Sequence, residues 1–231
     1  MPRKLNSLRS SASLERKPAK RVRKQGLVVY CEGEITEPRY IEAYYASVAK
    51  RSPITLVGIK RGAGTPDTIV KACIDHDTSS DSDTIVWAVF DVDEHQDLER
   101  ALDRARRGGI PVSLSDPCIE VWGLLHFRNS NAPLSRHAAQ RELRRVMPGY
   151  HHEKQPEFKW TLCQQNVDDA IDRANAGLRS RWEEGNSPPK ANPSTTFQLL
   201  LKFIMPDSPE QQSHALRLAC DVRAALERGE L

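Results

Sequence analysis

At 231 residues, with 39% hydrophobic and 28% charged side chains, the chain suits a soluble globular protein with one sizeable core. No apolar run approaches the ~20 residues that cross a bilayer, and the N-terminus lacks the apolar middle of a secretory signal. The net charge of +3 hides an asymmetry: residues 1–25 carry nine basic side chains against Glu15 alone, a local +8 that leaves −5 for the rest.

The segment 1–25 has the composition of a disordered tail, fit either to touch a nucleic-acid backbone non-specifically or merely to solubilise. From Leu27 to Phe127 strand and helix patterns alternate. The run Leu27–Cys31 reads as a buried strand. Thr36 is placed to cap a helix to about Lys50, whose Ile41, Tyr44, Tyr45 and Val48 share a face. A strand over Ile54–Ile59 leads through the basic loop Lys60–Pro66 to a helix over about Asp67–His76. The apolar run Thr84–Val89 is the next strand, followed by a helix over Gln96–Arg107 that stops at Gly108-Gly109. A strand over Ile110–Leu114 follows, and Ser115-Asp116-Pro117 opens a helix through Phe127. Four β-α units in series predict an α/β fold: a parallel sheet of about four strands flanked by helices.

Beyond Asn129 the pattern turns helical. Helices are expected over Ser135–Met147, along the stripe Val167, Ile171, Ala174, Leu178 and Trp182 capped by Asn166, and along Phe197, Leu200, Leu201 and Ile204. Ser208-Pro209-Glu210-Gln211 is a capping box for the last one. The division expected is a tail (1–25), an α/β catalytic core (26–128) and a mainly helical C-terminal region packed on it (129–231).

The chemistry concentrates in Phe90-Asp91-Val92-Asp93-Glu94-His95. On an extended strand Asp91 and Asp93 would lie roughly 7 Å apart on one face. Crowded carboxylates repel, so such a pair suits a hard divalent cation such as Mg²⁺, with Mn²⁺ as a substitute. Glu32-Gly33-Glu34 follows another strand, and if the two strands are neighbours Glu32 faces the aspartates, as a ligand or a general base. Gly33 would let the backbone approach a phosphate. Glu120, in the first turns of an apolar helix, is a further catalytic candidate whose charge needs a partner, a second metal or an Arg, unless it only complements the helix N-terminus. Lys60, Arg61 and Lys154 are candidate phosphate or transition-state contacts. Glu34 and Glu37 read as solvated or helix-dipole residues, and His151-His152 as surface. The five cysteines (Cys31, Cys73, Cys118, Cys163, Cys220) form no Cys-x-x-Cys pair. They read as free thiols of a reducing compartment, which places the chain in the cytoplasm and makes a zinc site improbable.

The stretches Cys31–Tyr40, Phe90–Glu94, Ser115–Phe127 and Asn192–Thr195 together resemble the RloB-like family, bacterial proteins encoded among restriction and phage-defence genes. The resemblance implies a Toprim-like catalytic domain, in which Glu32-Gly33 and Asp91-Val92-Asp93 bind Mg²⁺ and act on phosphodiesters of DNA or RNA. It raises His126, by default a satisfied core histidine, to a candidate that orients an acid or contacts substrate. It also implies an ATP-binding partner protein. Ile35 stands where relatives commonly carry Lys, and Asp116 where Asn is common. The latter adds negative charge that either strengthens metal binding or caps a helix.

Two other functions remain open on the sequence. One is a non-catalytic nucleic-acid-binding or regulatory partner of an ATPase. The other is a haloacid-dehalogenase-like phosphatase, disfavoured because His95 stands where that family expects Thr or Val and because Asp168-Asp169 open a helix.

Overall fold

The computed structural model describes residues 24–76, 78, 83–92 and 95–230. The basic tail thus falls outside the described residues, except for Lys24 and Gln25. Asp93 falls outside them too.

Four parallel strands form the sheet's body: β1 (Gln25–Cys31), β2 (Ile54–Lys60), β3 (Ile85–Asp91) and β4 (Val112–Asp116). The order is β2-β1-β3-β4-β5, where β5 is the two-residue strand Ser194–Thr195, antiparallel to β4. The α/β fold expected from the four repeating units is present, with this fifth strand added from the C-terminal half. Side-chain alternation along the strands splits the apolar residues into two layers. Leu27, Val29, Cys31, Trp87 and Val89 face one side, Val86, Ala88 and Phe90 the other.

The second side is covered by α2 (Pro66–Ile74) and α3 (Leu98–Gly108). Helix α3 ends at Gly109 with φ 65°, the left-handed stop that the glycine pair predicted. The first side holds the larger core. It contains α1 (Thr36–Val48), α4 (Glu120–Leu125), α5 (Arg136–Val146), α6 (Trp160–Cys163), α7 (Val167–Glu183), α8 (Phe197–Ile204), α9 (Pro209–Cys220) and α10 (Val222–Glu227). The stripes predicted for α7 and α8 are the faces buried there. Ser208 accepts the Gln211 N–H at the start of α9, as its capping box requires.

Three local expectations are corrected. Thr36 does not cap α1; it sits inside the helix, where its hydroxyl donates 2.9 Å to the Pro156 carbonyl. Asn166 makes no side-chain cap and instead donates to the Leu162 carbonyl. Ser115 and Asp116 belong to β4, and the helix begins only at Glu120. Asp116 has a different task, because its carboxylate accepts the Ala191 N–H and the Asn192 side-chain amide, each at 3.0 Å. Asn192 in turn bonds both the N–H and the carbonyl of Leu134. This clamp fixes the segment that forms β5, so Asp116 neither caps a helix nor bonds to the other acids.

Candidate functional site: four carboxylates at the strand ends

Strands β1 and β3 are neighbours, with Cys31 opposite Val89. Their carboxyl ends therefore lie side by side, the location where α/β sheets gather their reactive groups. Glu32 turns toward β3: its Oε2 accepts the Asp91 N–H at 3.1 Å, and its Oε1 lies 3.0 Å from His95 Nε2. Asp91 is the last residue of β3 and shares the parity of Trp87 and Val89, so its side chain enters the face covered by α1, α4 and α5. It is buried, with Arg136 of α5 4.0 Å from Oδ2.

Glu37 comes from the first turn of α1 and is 4% exposed. Its carboxylate receives the Gly33 N–H at 3.2 Å. A Cβ at Gly33 would lie 2.2 Å from Glu37 Oε2. The glycine therefore makes room for this chain's own carboxylate. Glu120 opens α4 and is 2% exposed. Its Oε1 accepts the Tyr150 hydroxyl at 2.5 Å and faces His152 Nδ1 at 3.0 Å.

The electrostatics divide these acids. Burial, and then repulsion from Glu37, Glu120 and Glu32, pushes Asp91 well above the usual carboxylate range, against the pull of Arg136. Burial also pushes Glu37 up to about 7, with Glu32 and Glu120 adding to it although backbone N–H groups oppose. Glu120 goes the other way. Burial raises it, but hydrogen bonds from His152, the Cys118 thiol and Tyr150 hold it below its ordinary value. His152 is raised correspondingly by its bond to Glu120. The cluster is an excess of negative charge, compensated at Glu120 and unbalanced at Asp91 and Glu37.

Of the residues singled out in the sequence, the structure brings together Glu32, Asp91 and Glu120. His126 is elsewhere: 1% exposed, it contacts the Trp122 carbonyl through Nδ1 at 3.0 Å and the Tyr40 hydroxyl through Nε2 at 2.9 Å. A carbonyl only accepts, so Nδ1 carries the proton and Nε2 receives the Tyr40 O–H. Burial lowers its pKa to about 4, and both nitrogens are used within the aromatic core. Arg61 is tied to Glu42 and to the Glu34 carbonyl, leaving it committed to α1. Lys60 and Lys154 are exposed. Asp168 and Asp169 lie exposed in the first turn of α7, away from any strand end.

Sequence reasoning missed Glu37, His95, Arg136, Tyr150 and His152. Glu37 is buried rather than solvated, and the sequence's trace of this is Gly33 four residues earlier, where any Cβ would collide with the carboxylate. His152 is no mere surface residue, since it bonds the buried Glu120.

Four acidic side chains supply only oxygen donors, the kind Mg²⁺ and Mn²⁺ take. The repulsion among them is what a bound cation would relieve, so the donor chemistry is of the right kind, but the spacing is not that of a formed site. Among the described residues, no three such groups stand together at metal-holding spacing.

Fold and cluster define an α/β protein with a buried acidic centre at the carboxyl ends of its strands. The family model for RloB-like protein matches residues 27–204, which include every residue of that centre, and the chain belongs to this family. Comparison with curated proteins and with solved structures gave no match. No helix among the described residues is long and apolar enough to cross a membrane.

Proposed function

We propose that the chain is a Mg²⁺- or Mn²⁺-dependent nuclease with a Toprim-like catalytic centre, acting in a bacterial phage-defence or restriction-associated system. The observation that carries this reading is the mutually repelling carboxylate set of buried Asp91, Glu37 and Glu120 with half-buried Glu32, gathered where β1 and β3 end and α1 and α4 begin. Asp91, Glu32 and Asp93 would hold the cation, which when bound would polarise a phosphoryl oxygen and lower the pKa of water. Asp91 would do so from the end of β3, and Glu32 from beside it, where it accepts the Asp91 N–H. Through its contact with Glu32, His95 fixes that carboxylate's direction and is near enough to share a proton with it. Tyr150 and His152 keep Glu120 ionised beside the others. Arg136 supplies the positive charge nearest Asp91 and is positioned to meet a phosphate.

The test is cleavage of plasmid, single-stranded DNA and transfer RNA by purified protein with Mg²⁺ or Mn²⁺, alone and with the ATP-binding partner that the family resemblance implies. Cutting by the wild type that disappears in Asp91→Ala supports the reading. Full activity in that variant rejects it. A binding or regulatory subunit would bind without cutting under every condition.

A further inference from the structure

Helix α5 starts at the acidic cluster and runs away from it, and its outward face carries charges that the cluster does not use. Ala139 and Leu143 bury the inward face, where Leu143 packs close over Gly123 of α4. At 100° per residue, His137, Arg141 and Arg144 fall within one narrow stripe on the opposite side. All three are exposed, and among the described residues neither arginine has a carboxylate partner. Their neighbours differ: Arg128 and Arg145 both pair with Glu142. Leaving Arg141 and Arg144 unpaired keeps two like charges one turn apart, which costs stability by itself.

Beside this stripe lies a cavity of about 330 Å³, lined by Arg141, Arg128, Asn129, Ser130 and Asn131 among others. The side chains of Asn129, Ser130 and Asn131 make no hydrogen bond within the described residues. Unspent donors and acceptors beside unpaired guanidiniums fit a polyanion that offers phosphate oxygens and hydrogen-bonding edges. The stripe spans about 10 Å of helix, the rise of about three nucleotides of one strand.

We propose that the outer face of α5, with the adjoining 128–134 segment, is the surface that binds the sugar-phosphate backbone of the nucleic acid and leads it to the carboxylates. The proposal rests on the nuclease reading for the destination of the strand, though not for the binding itself. Continuity supports it: Arg136, the residue before His137, is the cation beside Asp91.

The experiment is fluorescence anisotropy of labelled single-stranded DNA, single-stranded RNA and duplex DNA with the full chain in EDTA, across a salt series. Arg141→Gln/Arg144→Gln is compared with Arg179→Gln, an exposed arginine of α7 with no ion pair among the described residues, and with Asp91→Ala. Removing two phosphate contacts should weaken binding about tenfold and reduce the slope of log K against log salt by about 1.4 to 1.8. Arg179→Gln should leave both unchanged, and Asp91→Ala should bind as well as wild type or better. Unaltered affinity and slope in the double variant, an equal loss in Arg179→Gln, or no binding of wild type to any of the three probes would each overturn the assignment. Cleavage retained in Asp91→Ala would sink the nuclease reading instead, while the binding result stands. Circular dichroism of the double variant excludes unfolding as the cause, and the three probes distinguish DNA from RNA.

Discussion

Two buried polar sites lie a few residues apart along α4, and they solve burial in opposite ways. At its C-terminal end His126 is neutral, with each ring nitrogen matched to one partner inside a cage of Tyr40, Trp122 and neighbouring rings. At its N-terminal end Glu120 joins three other carboxylates, where burial first and repulsion second move Asp91 and Glu37 far from their ordinary ionisation. Burial is common to both, so burial alone says nothing of function. The difference lies in satisfaction: the histidine's bonds complete a core, whereas the acids keep an imbalance that only an added positive charge removes.

Substitutions can break this contrast. Asp91→Ala should lower metal-dependent cleavage at least about 100-fold, the scale expected when a charge-stabilising group leaves an active site. The same change should not lower the melting temperature, because it deletes a repelled buried carboxylate. A large thermal loss would mean that Asp91 is structural. His126→Ala should do the reverse. It leaves a cavity and two unmatched polar groups, costing about 2–4 kcal/mol in denaturant unfolding, with cleavage per folded molecule preserved.

The two sites also predict opposite pH dependences. His126 titrates near 4 in the folded chain against an ordinary 6.5, so the unfolded chain binds more protons between those values. Its contribution is intact above pH 6.5 and is lost as pH falls toward 4, up to about 3 kcal/mol. Glu37 titrates near 7 against an ordinary 4.5, so here the folded chain binds more protons. Its contribution is intact below pH 4.5 and is lost as pH rises through 7, by a similar amount. Denaturant unfolding of Glu37→Gln across pH 5–8 should therefore show a flatter decline than wild type. An identical slope would contradict the burial of a protonated Glu37. The mildest change is Gly33→Ala. Its Cβ would push the Glu37 carboxylate off the Gly33 N–H, costing about 1 kcal/mol in thermal or denaturant unfolding.

Strands β1 and β3 were legible because an apolar run ending in acids has few other readings, but their adjacency was only a condition of the sequence reading, since a parallel sheet can order its strands in several ways. Strand β5 was not legible. Two residues carry no period, and what holds them is a clamp from Asp116 across 75 residues of chain. Glu32, Asp91 and Glu120 were visible as acids near strand or helix starts. Glu37 looked like an ordinary first-turn acid, because a helix position does not reveal which neighbour will cover it. Tyr150 and His152 sit in an irregular segment about 30 residues beyond Glu120, where no local spacing points back to it. His126 attracted attention through a family pattern, and its packing shows what a histidine does there: a neutral imidazole ring offers one donor to a carbonyl and one acceptor to a phenol.

The most direct measurement is calorimetric Mn²⁺ titration of the wild type and Asp91→Asn at pH 6 and pH 8. Wild type should bind the ion at pH 8, bind it more weakly at pH 6 where Glu37 holds its proton, and lose it when Asp91 is replaced. Equal uptake by both proteins, or wild-type binding indifferent to pH across that range, would contradict a cation site at these carboxylates.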